Sequence, residues 1–513
     1  MKYEGKMETT RKKLIFINSS MGLISQVVTI LFTFITRTLF IKYIGVELLG
    51  LNSTFTSILS TLSMAELGFE SAIVYSLYRP LHDKKYDEIN DVMNIFKLVY
   101  RAIGLFFILA SIIMLPFLRF IITDFAVSTR VYVYFILQAI ASACTYFLAY
   151  KRVIIFADRK DYICKFIDTI INIIFNLLQC WVLIVTQDYM MYLVLKIVQV
   201  YSSNIVVHVY CTKHYSYLVK GKVNFVKLKE ILSNVKNIFV GKIAQYIYQS
   251  TDNLVISIFV GTISVGYFVN YSTLTKSLKN LTVSILNPLM PFIGNFLASD
   301  ISKEGKKNIF LLYSHVRYLI AMFIIIPLVV LIDDFIVLWV GADMVLARAI
   351  SVLLAIEYYI DLVHSSTVDF INGAGLFKYS KYISIIGAIT NLFSSLIFVQ
   401  FWGIAGVLAG TIVSQIVFWC GRSIIVYFKC MKLTRKEFAA YWLRNVGYVI
   451  VFLIGYCICT GMYKVLGISN LIIKFICGGI VCELILIILV FIVFNRMQEQ
   501  QEVAKVIKRI IRK

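Results

Sequence analysis

Acidic residues, proline and histidine are scarce in this chain of 513 residues: 28 Asp and Glu stand against 50 Lys and Arg, with five prolines and five histidines. Because 60% of the residues are apolar and the mean hydropathy is +0.83, this is not the composition of a soluble domain. The histidines are scattered, and the ten cysteines, from Cys144 to Cys482, fall mostly in apolar runs without CxxC spacing. Neither set argues for a metal site, and the cysteines read as small core residues. No GxxxxGKS or GxxxxGKT run occurs, and no loop is longer than about 20 residues, which leaves no room for a nucleotide-hydrolysing domain. No cofactor is expected, and energy for any work would come from a gradient or a partner. Period-2 alternation is missing too, so the apolar runs read as helices and not as barrel strands. No cleavable signal peptide is apparent, because the first apolar stretch is too long and has no clear small-residue site.

What is present is a series of fourteen apolar stretches, each long enough for the about 20 helical residues that cross a ~30 Å hydrocarbon layer. They include 14–42, 47–78, 228–260 and 264–297. Charge placement gives an independent reading, since short cytoplasmic loops collect Lys and Arg. With the N-terminus inside, the cytoplasmic segments carry Lys2, Lys6, Arg11, Lys12 and Lys13, then Arg79, Lys84 and Lys85, then Lys151, Arg152, Arg159, Lys160 and Lys165, and so on to the tail. Only Lys42, Arg119, Arg130, Arg348 and Lys464 fall outside, where Asp333, Asp334 and Asp343 make one loop acidic. Both termini are therefore expected in the cytoplasm. The net charge of +22 is spread over short segments that face anionic lipid headgroups, so nucleic acid is not an expected partner.

The second half repeats marks of the first about 216 residues later. Tyr43-Ile44-Gly45 followed by Gly50 recurs as Phe259-Val260-Gly261 followed by Gly266, and Asn94-Ile95-Phe96 recurs as Asn308-Ile309-Phe310. Internal repeats of this kind describe two similar bundles around one cavity, as in transporters. The expected fold is an all-α integral membrane protein of about 14 transmembrane helices, with two pseudo-symmetric six-helix bundles plus two extra helices. The bundles span 1–214 and 228–430, joined by a basic cytoplasmic linker at 215–227. An additional helix pair at 431–495 and a basic amphipathic tail at 496–513 follow.

Polar side chains inside the spans carry the chemistry, because a charge there costs about 2.5–3.5 kcal/mol on insertion scales and usually faces a cavity or a partner. At 100° per residue, Asn18, Ser25, Thr29, Thr33 and Thr36 lie on one arc of the first span with Arg37 on its shoulder. The second span aligns Asn52, Thr56, Ser63, Glu66 and Glu70. The seventh aligns Lys242, Gln245, Gln249 and Asp252, and the eighth Asn270, Thr273, Ser277, Asn280 and Ser284. Two readings stand: a hydrophilic lumen shared by the halves, or tight Ser/Thr-mediated helix packing. Glu357, Asp361 and His364 share a face of the tenth span. They are either a proton carrier or a structural ion pair with a Lys or Arg, and the second reading is preferred. Pro288 and Pro291 bend the eighth span as a hinge or as a static kink. Gly406 and Gly410 offer a close-approach face.

Arg37, the run from Tyr43 to Asn52, the run Glu66-Leu67-Gly68-Phe69-Glu70, and Asp252-Asn253-Leu254-Val255-Ile256-Ser257 followed by Gly261 and Gly266 resemble the Wzx-type polysaccharide biosynthesis proteins. These are lipid-linked oligosaccharide flippases of the multidrug/oligosaccharidyl-lipid/polysaccharide exporter superfamily. The resemblance implies a cationic lumen that carries an undecaprenyl-diphosphate-linked repeat unit from the cytoplasmic to the outer leaflet of a bacterial plasma membrane by alternating access. It would serve capsule, exopolysaccharide or O-antigen assembly, with no covalent chemistry. Arg37 and Lys242 would hold the diphosphate or anionic sugars, while Asn52, Gln245, Gln249, Asn270 and Asn280 would bond sugar hydroxyls. Glu66, Glu70, Asp252, Glu357 and Asp361 would balance or couple charge. Partners would be the polyprenyl-diphosphate-linked glycan, membrane lipids, and polymerase and assembly proteins. The first span has no acid of the kind the drug-extrusion branch uses, yet an ion-coupled multidrug exporter is the alternative. A glycosyltransferase or polymerase lacks the large outer loop it would need. The tail, with Val503, Ile507, Ile510 and Ile511 opposed by Lys505, Lys508, Arg509 and Arg512, is expected to lie on the membrane, or else to bind a partner.

Overall fold

A computed structural model describes residues 2–66, 69–124, 127–219, 221, 228–229, 251–286, 293–294, 296–297 and 302–511. The described residues are helical, with no strand among them. Eleven of these helices are long and apolar enough to cross a membrane; the chain is a multi-pass membrane protein. Three expected spans are not among the eleven, each for its own reason. The stretch 47–78 is split by a 3-10 turn at Ser63–Glu66. The stretch 228–260 lies largely outside the described residues. The helix that begins the stretch 264–297 carries Lys276 and Lys279 among Ser, Thr and Asn, and Pro288 and Pro291 lie outside the described residues.

The helices divide into two compact units, residues 1–266 and 267–513, described separately. The first contains α1 (Lys2–Tyr43), α2 (Val46–Leu62), α3 (Phe69–His82), α4 (Tyr86–Met114), α5 (Thr129–Leu148), α6 (Arg152–Ala157), α7 (Asp161–Val185), α8 (Tyr189–His214), α9 (Asp252–Phe259) and the first turn of α10 (Thr262–Leu286). The second contains the rest of α10, then α11 (Lys303–Val340), α12 (Arg348–Gly373), α13 (Phe377–Trp402), α14 (Ile404–Ile424), α15 (Arg435–Val465), α16 (Leu471–Phe494) and α17 (Gln498–Ile511).

In the first unit, α1 lies along α7. Asn18 Nδ2 donates to the Arg159 carbonyl at 2.9 Å, and the Tyr162 amide donates back to Asn18 at 2.8 Å. Near the other end, Thr36 lies 3.4 Å from Asn176, so the two helices run parallel. A core of Phe55, Ile73, Phe96, Phe107 and Phe135 holds α2 to α5. The repeated glycines meet physically: a Cβ on Gly50 would lie 2.1 Å from the Thr262 carbonyl oxygen, and one on Gly266 would lie 2.5 Å from that of Val46. Only a hydrogen side chain lets α2 and α10 cross this closely.

In the second unit, α13 and α14 pack backbone to backbone through the expected small face, since a Cβ on Gly406 would lie 2.1 Å from the Phe398 carbonyl oxygen. Helix α15 starts at a capping box in which Thr434 and Glu437 satisfy each other's backbone amides. Helix α11 runs to Val340, so Asp333 and Asp334 lie on it and not in the expected acidic loop. The physical reason is satisfaction of both charges. Arg348 (2.7 Å) and Ser351 (2.7 Å) donate to Asp333, and Tyr463 donates to Asp334.

Candidate functional site

Polar side chains in the first unit form a column between α1, α7 and α8. Helix α7 turns Asp168, Asn172, Asn176 and Gln179 to one side at spacings of four, four and three, and α8 answers with Tyr192, Lys196, Gln199 and Ser203. Gln199 donates to Asn172 at 2.8 Å and accepts from Gln179 at 2.8 Å. At one end Arg152 forms a bidentate pair with Asp168, at 2.7 and 2.8 Å, and also reaches Ser203 (2.7 Å) and Asn204 (2.9 Å).

Two cations of this unit have no such match among the described residues. Arg37 projects from α1 beside Tyr192, and its Nη1 atom is buried without a hydrogen-bond partner among the described residues. Lys196 is half-buried on α8, and no described charge acts on its ammonium. Phe40 packs on Tyr189 and Tyr192 at ring distances of 5.5 and 5.4 Å, and α8 runs antiparallel to α1. Arg37 therefore sits about 4.5 Å below that contact and Lys196 about 6 Å below it, at similar depth. Asn52 is tied into the same unit, where its amide oxygen accepts from Gln138 and from the Tyr189 hydroxyl at 3.0 Å.

The second unit handles its charges differently. A cavity of about 120 Å³ is lined by Lys279 and Thr282 of α10, Arg317 of α11, and Tyr358, Asp361, Ser365 and Asp369 of α12. Lys279 pairs with Asp361 at 2.5 Å, and Arg317 pairs with Asp369. Arg317 also donates to the Leu362 carbonyl at 3.1 Å, and the Tyr313 hydroxyl donates to Asp369 at 2.6 Å. His364, one turn beyond Asp361, points Nδ1 at the Ile360 and Asp361 carbonyls, both at 3.0 Å. Nδ1 therefore carries the proton, and Nε2 accepts from Arg422 at 3.0 Å. The cavity is polar but electrically balanced.

The remaining expected residues are dispersed. Asn270 is fully buried on α10, both polar side-chain atoms without a hydrogen-bond partner among the described residues, whereas Asn280 is exposed ten residues on. Glu66 ends the 3-10 turn, Glu70 lies in the first turn of α3, and Asp252 starts α9. Glu66, Asp252 and Glu357 are each engaged by neighbours, Glu357 acting on Lys279. Lys242, Gln245 and Gln249 lie outside the described residues. Sequence reasoning missed Lys196, the pairing of Arg152 with Asp168, Lys279 as the partner of Asp361, and Asp369 as the partner of Arg317. The α7 stripe was legible at spacings of four, four and three, as was Asp369, which falls on the Asp361 face two turns later.

No family model and no curated protein sequence matches the chain. Solved structures do. The lipid II flippase MurJ in an inward closed conformation superposes with a TM-score of 0.65 at 14% identity, covering 94% of this chain and 99% of that one. A multidrug resistance MATE family transporter of the MOP superfamily superposes in its inward-facing conformation with a TM-score of 0.59 at 14% identity, over 76% of this chain and 93% of that one. The outward-facing conformation of such a transporter gives 0.53 at 14% identity, over 80% and 93%. The chain thus shares the helical fold of these membrane transporters.

Proposed function

We propose that this chain is a flippase of the Wzx type, which moves undecaprenyl-diphosphate-linked oligosaccharides from the cytoplasmic to the outer leaflet of a bacterial plasma membrane by alternating access, without covalent chemistry. The observation that carries this reading is the pair of unmatched cations in the first unit. Keeping Arg37 and Lys196 inside the bundle costs about 2.5–3.5 kcal/mol each on insertion scales. Folding alone gives no return for that cost, whereas an anionic cargo does. A guanidinium takes a phosphate in a bidentate fork, and an ammonium adds a point charge at the same depth. Asn172, Asn176, Gln179 and Gln199 supply amides beside them for sugar hydroxyls. Lys242, Gln245, Gln249, Asn270 and Asn280 extend that role, with Asp361 and Glu357 keeping the second unit neutral. Two six-helix bundles with an added helix pair and cytoplasmic termini complete the arrangement. Fold similarity to MurJ supports a lipid-linked cargo.

Fold similarity to MATE transporters supports a second reading equally, an ion-coupled multidrug exporter. Its cationic substrates would be repelled by Arg37 and Lys196, and Asp361 and Asp369 are already matched by Lys279 and Arg317. A cell lacking its native flippase separates the two. Surface polymer should return with the wild-type chain and fail with Arg37→Ala and Lys196→Gln at matched protein levels. Full export by both variants, or drug resistance on overexpression without any glycan defect on deletion, would sink the flippase reading.

A further inference from the structure

The repeat allows one helix face to be compared in both units. Asn94 of α4 and Asn308 of α11 stand 214 residues apart at the head of matching Asn-Ile-Phe runs, an offset that aligns Arg101 with His315 and Ile112 with Ile326. In the second unit both positions are fully buried, covered by the helix pair that lies outside the repeat. His315 meets the Tyr448 hydroxyl of α15 at 2.9 Å and the Phe494 ring of α16 at 5.4 Å, and Ile326 Cδ1 lies 3.1 Å from where a Cβ on Gly455 of α15 would stand. The matching positions of the first unit are open: Arg101 is exposed, and Ile112 is 55% exposed.

Arg101 also marks a depth. Seventeen uncharged residues separate it from Arg119, a helical rise of about 27 Å that matches the ~30 Å hydrocarbon layer. Arg101 therefore stands at headgroup level, towards the end of the unit that carries Lys84, Lys85 and Lys160. Other cations gather at the same place. Lys97 lies over the Tyr150 ring at 5.8 Å, Tyr150 packs on His208 of α8 at 6.2 Å, and Lys151 donates to Thr212 at 2.6 Å. Among the described residues, the cations acting on Tyr150 and His208 are Arg101, Lys97 and Lys151, and no carboxylate acts on either. From this cluster three exposed apolar stripes run into the membrane-crossing stretch: Leu105 and Leu109 on α4, Phe147 and Ile140 on α5, Val209 and Ile205 on α8. Spacings of four and seven keep each stripe on one helical face, and α4 and α8 both pack against α5.

We propose that this face of the first unit binds an anionic phospholipid of the bilayer, with its phosphate held by Arg101, Lys97 and Lys151 and its acyl chains lying along the α4, α5 and α8 stripes. Charge complementarity selects this occupant. A helix pair placed here, as on the matching face of the second unit, would have to bury Arg101 where that unit offers a histidine bonded to a tyrosine. A phosphate instead takes the guanidinium in a bidentate fork and leaves it at the interface, while hydrocarbon tails cover the apolar stripes. This does not depend on what the protein transports. Native mass spectrometry of the delipidated full-length protein tests it with phosphatidylglycerol, phosphatidylcholine and undecaprenyl diphosphate as probes. The expected result is one phosphatidylglycerol retained about tenfold more tightly than phosphatidylcholine, the worth of one charge-assisted hydrogen bond. Arg101→Gln with Lys151→Gln should abolish that preference, and Arg101→Gln alone, at an exposed side chain, should lose most of it with an unchanged melting temperature. Arg119→Gln, at the other interface, should keep it. Phosphatidylglycerol with a photoreactive acyl chain should label 136–147 in the wild-type chain. Equal retention of the two phospholipids overturns the proposal, as does a preference that survives the double substitution, or labelling elsewhere in the chain. Displacement of phosphatidylglycerol by an equal amount of undecaprenyl diphosphate would overturn it in favour of a cargo dock. A second copy of the chain retained in place of lipid and released by Arg101→Gln would overturn it in favour of a dimer interface.

Discussion

The two units treat intramembrane charge in opposite ways. Around the cavity of the second, each cation has its carboxylate: Lys279 has Asp361, and Arg317 has Asp369. In the first, Arg152 has Asp168, but Arg37 and Lys196 have no carboxylate partner among the described residues. A matched pair joins helices at modest net cost, because mutual attraction offsets much of the desolvation. An unmatched cation has no such offset, so its presence is better explained by what enters the bundle than by what holds it together. The contrast separates charges that serve folding from charges that serve a cargo, and each can be broken separately.

The largest expected effect lies in the second unit. Arg317 and Asp369 side chains are only 8% and 13% exposed, so Arg317→Met strands a carboxylate with the Tyr313 hydroxyl as its sole described donor. That should cost about 3–5 kcal/mol, as for other broken buried pairs. Adding Asp369→Leu removes the stranded charge and should restore most of the loss. Thermal unfolding in detergent measures both. A double variant as unstable as the single one would mean that the pair is not a self-contained neutral unit, and the contrast between units would fail on this side.

The first unit should respond in the opposite sense. Arg37→Gln and Lys196→Gln each remove an unmatched charge, so stability should hold or rise. Polymer export in a flippase-deficient cell should fall about tenfold to a hundredfold for each, the worth of one charge-assisted hydrogen bond. Loss of stability without loss of export would place these cations with the folding charges.

Much of this contrast was legible in the sequence, and the missing parts share a cause. Helical phase placed Arg37, Asp361 and His364 on polar faces, because a 100° step needs only the residue numbers. The same phase skipped Lys279, which stands 100° from the Asn280 stripe and reaches Asp361 through a long flexible stem. Matching is a property between helices, and no single-helix pattern reveals it. Lys196 was missed for the same reason: alone in an apolar stretch, it resembles an isolated interruption until α7 supplies the amides beside it. The broken span at Ser63–Glu66 escaped because its composition stays apolar on both sides of the turn. The repeat was the most readable feature, since its glycines are imposed by backbone contact.

That contact gives a smaller and sharper comparison. Gly50→Ala and Gly266→Ala each force a methyl against a carbonyl oxygen that belongs to backbone and cannot rotate aside. Each should destabilise by about 1–3 kcal/mol, as overpacking does. Equivalent losses at both positions would show that the repeat is kept by this crossing, and a loss at only one would show that α2 or α10 yields alone.

The smallest effect tests the other repeated pair, Gly45 and Gly261, which hold φ of 102° and 127° just before α2 and α10 begin. Gly45 has ψ of 160°, a region that only glycine visits without strain of order 1–3 kcal/mol. Apart from its chain neighbours, no described residue lies within 4 Å of a Cβ at Gly45, so Gly45→Ala should carry the strain alone, about 1 kcal/mol at the low end of that range. A Cβ at Gly261 would lie 2.2 Å from an Asp124 carboxylate oxygen, the same atom that accepts from the Ile263 amide at 3.1 Å. Gly261→Ala should therefore cost strain plus the loss of that cap and exceed its partner in a matched thermal scan. Equal losses would mean that Asp124 moves freely, and that the two repeats differ in charge without differing in how their helices are started.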